Sequence, residues 1–176
     1  VNILGVFRIR SVDSRRFLLA TLLAWMAFIA IDFFFHAGLF RPLWNEDVAA
    51  YRSTRELATL IPVAYAGFLV LTLFFGYVFG RTFRERPSPR EAMQHAVLFA
   101  GLLSLSGFLG MVSYLVIPVR HLVLFHIAYF IELVLVGWVW FQAFRADRLR
   151  RLASTVLLAC IVLVFAGVVL QNMLEG

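Results

Sequence analysis

Four ionisable side chains stand inside long apolar runs: Asp32 and His36, four residues apart, and His126 and Glu132, six apart. Carboxyl and imidazole groups are costly in such surroundings unless they bind something or one another, so each is a candidate functional group. On a helix, residues four apart share a face about 6 Å apart along the axis, so Asp32 and His36 can touch. Glu132 falls near the middle of its run, whereas His126 lies roughly 9 Å nearer one end and about 120° round the helix. His121, eleven residues from Glu132, returns to nearly the same face ~16 Å higher.

Two imidazoles with two carboxylates suit a divalent transition metal such as zinc or iron, with Asp32, His36, His126 and Glu132 as the ligand set. His36 and His126 at equal depth could instead ligate one haem between helices, with Asp32 fixing the tautomer of His36. A third use is a proton or cation path with Glu132 as its relay. Tyr114 and Tyr129 join the four as lining candidates for one polar pocket. The competing structural role is polar glue, in which these groups bond only to one another and to neighbouring helices. No H-E-x-x-H, C-x-x-C, E-x-x-H, G-x-S-x-G or phosphate-loop motif is present. An enzyme with a familiar nucleophile is therefore the least supported class, and enzymatic activity is left open.

The runs that must position these residues define the class. Of 176 residues 62% are hydrophobic and 15% charged, against about 45–50% and 25% in soluble domains, and mean hydropathy is +0.90. So small a water-soluble monomer could not hide that surface. Five spans are read, at about 17–40, 57–80, 92–117, 121–144 and 152–174. Each is long enough to cross ~30 Å of hydrocarbon, and unpaired backbone is intolerable in lipid, so all five must be helices. Ser53-x-x-Glu56 predicts a capping box before the second span, and Ser88-Pro89-Arg90-Glu91 another before the third. The expected fold is a single all-α domain over 1–176, a polytopic membrane bundle of five helices with consecutive helices adjacent.

All sixteen basic residues are Arg. Arg8, Arg10, Arg15, Arg16, Arg81, Arg84, Arg86, Arg90, Arg145, Arg148, Arg150 and Arg151 fall on one side, against Arg41, Arg52, Arg55 and Arg120 on the other. By the positive-inside rule the N-terminus is cytoplasmic and the C-terminus outside. The net charge of +6 is thus a topology signal rather than a nucleic-acid surface. No small-x-small site follows the first run, which reads as an uncleaved signal-anchor. Between the first two spans, Asn45 is expected to cap a short interfacial helix over 45–53, with Glu46 and Asp47 in its first turn and Trp44, Val48 and Tyr51 on one face. Gly76-x-x-x-Gly80 and Ala100/Ser104 predict close approach of the second and third helices, to each other or to a partner.

The pattern predicts a small multi-pass accessory or binding protein of a bacterial inner membrane. It would work with other membrane subunits or by self-association, with its polar pocket open to the non-cytoplasmic side. The alternatives are a haem- or metal-binding subunit of an electron-transfer system, and a proton or small-solute transporter. All four-residue versions of the site require the first and fourth helices to be neighbours.

Overall fold

The computed structural model describes residues 14–46, 48, 49, 51–83, 86–146 and 149–175. Among them every regular element is helical. α1 (Ser14–Phe33) runs into a π-helical segment (Phe34–Leu39), followed by the one-turn α2 (Arg41–Trp44). Next come α3 (Thr54–Thr82), α4 (Pro89–Tyr114), α5 (Val119–Arg145) and α6 (Leu149–Glu175). Five segments are long and apolar enough to cross a membrane: Ser14–Leu39, Thr59–Thr82, Pro89–Tyr114, Val119–Arg145 and Leu149–Leu174.

Both expected capping boxes form. Ser53 accepts from the Glu56 amide while the Glu56 carboxylate accepts from the Ser53 amide, and Ser88 and Glu91 repeat the exchange before α4. These two side chains replace partners that the first helical turn cannot supply. The third span stops at Tyr114, short of the expected Ile117. Pro118 is consistent with this: it has no N–H and its ring would clash with the carbonyl four residues back, at Tyr114, and Leu115 is already extended at φ −103°, ψ 134°.

The expected interfacial helix over 45–53 does not form among the described residues. Pro42 instead starts α2 directly off the π-helical segment, and Asn45 closes that turn as its C-cap. Glu46 and Tyr51 are held by side chains of α5, so the described residues between Arg41 and Ser53 form a strap against α5. Asp47 lies outside the described residues, as do Arg8, Arg10, Arg84 and Arg148.

α1 is the centre of the bundle, packing on α3, α5 and α6, and α4 packs on α5. The first and fourth spans are therefore neighbours. Their core is aromatic over alanine: Phe17, Phe28, Phe75, Phe79 and Trp140 fill it, and Ala92, Ala96 and Ala100 line the α4 side. The small residues do not zip α3 to α4, which meet through rings such as Phe74 and Phe75 against Phe99. Each helix turns its small stripe to α5 instead. A Cβ at Gly76 would fall 2.1 Å from the Trp140 ring, and one at Gly137 would fall 2.6 Å from Ala96 Cβ.

Two polar ties fix α1 against α5 at opposite ends. Arg16 donates to the Ala143 and Ala146 carbonyls at the end of α5, satisfying acceptors its last turn leaves open. At the other end the strap following the π-helical segment is bound to the start of α5 through Glu46. The two helices are thus antiparallel and in fixed register.

Candidate metal site between the first and fourth helices

Register brings Asp32, His36 and Glu132 together. Each offers a ligand atom, and the three atoms lie within 4.8 Å of one another. Asp32 sits in the last turn of α1 and His36 in the π-helical segment, with His36 Nε2 3.8 Å from Asp32 Oδ1. That separation is too long for a hydrogen bond but right for two groups facing a common centre. π-Helical turns interrupt the regular hydrogen-bond ladder and recur at functional sites, and this one falls on the site. Glu132 reaches in from α5 with 1% of its surface exposed, and its Oε1 has no hydrogen-bond partner. His36 Nδ1 is likewise buried without a partner. Two carboxyl groups and an imidazole are therefore held close with acceptor capacity unused, an arrangement that a cation would complete.

Rings rather than hydrogen bonds orient His36. Its imidazole is wedged against Phe125 at 5.2 Å, Trp44 at 5.7 Å and Phe40 at 5.8 Å. Trp44 stacks on Phe125 at 4.8 Å and so roofs the site. At the other end Phe28 is fully buried, stacked on Phe68 at 4.3 Å. Aromatic rings thus bound the site at both ends, while Asp32 and His36 stay partly exposed, at 20% and 24%.

Over the roof lies a latch that sequence reading missed. His121 is 0% exposed; its Nε2–H donates to Glu46 at 3.0 Å, and its Nδ1 accepts the Tyr51 hydroxyl at 2.6 Å. A carboxylate can only accept, and this assigns the tautomer. Arg120 pairs with the same Glu46 oxygen. Burial, with the Glu46 charge beside it, pushes the Tyr51 phenol above its ordinary range. The signal available in the sequence was charge complementarity, with Glu46 and Asp47 in the loop between the first two spans and the Arg120–His121 pair in the loop between the third and fourth.

Two of the pocket candidates, His126 and Tyr114, lie elsewhere, and a third, Tyr129, borders the site. His126 turns to the groove between α4 and α5, where its Nδ1–H donates to the Leu122 carbonyl at 2.8 Å and its ring meets Phe108. The six-residue step from Glu132 is the reason, since it carries the side chain about 120° away. His36 and His126 thus face different neighbours and do not form a shared haem ligand pair. Tyr114 ends α4 and is 71% exposed. Tyr129, three residues before Glu132 on α5, packs beside Phe28 at 6.4 Å and stands within electrostatic reach of the Glu132 carboxyl, without a hydrogen bond among the described residues.

A scan of protein-family models gives no match to the chain, and searches of curated proteins and of solved structures give none either.

Proposed function

We propose that this chain is a small multi-pass membrane protein that binds one divalent transition-metal ion of the zinc class through Asp32, His36 and Glu132. The observation that carries the reading is the convergence of three ligand atoms within 4.8 Å on a carboxyl group that is 1% exposed and unpartnered. Two carboxylates balance a doubly charged ion, which lowers the cost of holding it in a low dielectric. Three protein ligands leave one tetrahedral position for water or an exchanging ligand, the pattern of a working rather than a permanently closed site. A core filled by Phe28, Phe75, Phe79 and Trp140 favours binding over conduction through the bundle.

The Arg distribution supports an orientation with the N-terminus in the cytoplasm and the strap and C-terminus outside. The metal site then lies toward the outer face, beneath the latch. An accessory role beside a larger membrane complex, or in self-association, fits a bundle whose α6 leaves Leu158, Ile161, Val162 and Phe165 exposed.

Calorimetric titration of chelator-stripped protein with Zn²⁺ tests this. One ion per chain is expected, weakened at least tenfold in Asp32→Asn, His36→Ala and Glu132→Gln and unchanged in His126→Ala. Binding that survives His36→Ala, or no binding in the wild type, would sink the proposal. Proton relay by Glu132 is the second reading, favoured by its unpartnered oxygen. It requires that Glu132→Gln abolish proton flux in proteoliposomes free of metal.

A further inference from the structure

α5 and α6 are consecutive yet meet only lightly, and the gap between them is not featureless. A recess of about 750 Å³ opens at the Arg-rich end, lined among others by Gln142, Ala146, Arg151 and Thr155. A second, of about 340 Å³, continues toward the bundle centre past Phe35, Ile131, Leu135, Cys160 and Leu163. Both share Trp138, Val139, Val156 and Ala159, so they form one trench. Its chemistry changes along its length: a guanidinium, an amide and a hydroxyl stand at the mouth, and only apolar side chains and a thiol follow.

Length gives the scale. From Arg151 to Leu163 is twelve helical residues, about 18 Å at ~1.5 Å each. The hydrocarbon of one leaflet is about 15 Å thick. A trench with a cation at the headgroup level and a dry floor one leaflet long matches a molecule with an anionic head and an acyl tail. Arg is suited to the head because its planar fork pairs with two phosphate oxygens at once, and the Gln142 amide adds a further donor. Arg145 is held over the Phe141 ring, and among the described residues Arg151 is the cation lining the mouth.

We propose that the α5/α6 trench is a binding site for an anionic phospholipid, with the phosphate at Arg151 and Gln142 and one acyl chain lying along Val139, Val156, Ala159 and Cys160. This inference is independent of the metal reading, since none of the three metal ligands lines the trench.

Trp138 lines both recesses and reports occupancy. The full chain is reconstituted in phosphatidylcholine vesicles containing either dibrominated phosphatidylglycerol or dibrominated phosphatidylcholine as quencher. The phosphatidylglycerol is expected to quench at about fivefold lower mole fraction, the preference that one Arg contact supplies. That preference should disappear in Trp138→Phe, which removes the one of the four Trp that lines the trench, and in Arg151→Gln, which removes the cation. Ala159→Phe, at an exposed position, should also abolish it by blocking the tail while leaving the charge in place. Equal quenching by the two lipids in the wild type, or a preference that survives any of the three substitutions, overturns the proposal.

Discussion

At the residue scale, three side chains from two helices carry the functional reading, and a fourth supports them from above. Asp32 and His36 were legible in sequence because a spacing of four is a contact on any helix, and Glu132 because it falls at mid-span. His126 was misplaced because depth was weighed before azimuth: it sits at the right height but on the wrong face of α5. The latch was not legible, because Trp44, Val48 and Tyr51 have helical spacing and read as one apolar face. His121 is fully buried, so His121→Ala removes its two hydrogen bonds and leaves a cavity, and should cost about 2–3 kcal/mol even though Glu46 keeps Arg120. Tyr51→Phe should cost about 1 kcal/mol, both read from thermal unfolding in detergent. The latch also sets an alkaline limit. With its pKa raised, Tyr51 keeps its proton in the folded state after the unfolded chain has begun to lose it. Its contribution to stability is therefore constant below pH 10 and declines above, and Tyr51→Phe should flatten that decline.

Elements were the most legible level. Hydropathy placed all five spans within a few residues, and Ser53/Glu56 and Ser88/Glu91 marked two helix starts through hydrogen bonds local to four residues. The π-helical segment was not legible, since nothing in Phe34–Leu39 distinguishes its ladder from an α-helical one. It is selected by tertiary contact: a Cβ at Gly38 would fall 3.0 Å from the Gly167 Cα, so this segment crosses α6 nearly backbone to backbone. Small residues were correctly read as points of close approach but assigned to the wrong neighbour, because spacing reveals a face and not what covers it. Gly76→Ala drives a methyl into the fully buried Trp140 ring and should destabilise the bundle by about 1–3 kcal/mol. Gly67→Ala meets nothing within 4 Å and should be neutral or slightly stabilising in the same melting experiment.

For the whole molecule, the two ties between α1 and α5 give the bundle polar fastenings at both ends, with the candidate metal site near the strap and the Arg-rich loops at the far end. The proposed orientation makes an accessibility prediction. In a Cys160→Ala background, Arg52→Cys should react with a membrane-impermeant maleimide added to spheroplasts, whereas Arg90→Cys should react only after lysis. The reverse pattern would invert the topology and turn the metal site toward the cytoplasm.

The most direct measurement of the central claim is anomalous X-ray scattering at the zinc edge from crystals of protein loaded with Zn²⁺. One strong anomalous peak per chain is expected, bonded to a carboxylate oxygen of Asp32, an imidazole nitrogen of His36 and a carboxylate oxygen of Glu132 at about 2.0–2.2 Å. A peak at Glu46 and His121 instead, or none between α1 and α5 in fully loaded protein, would contradict it.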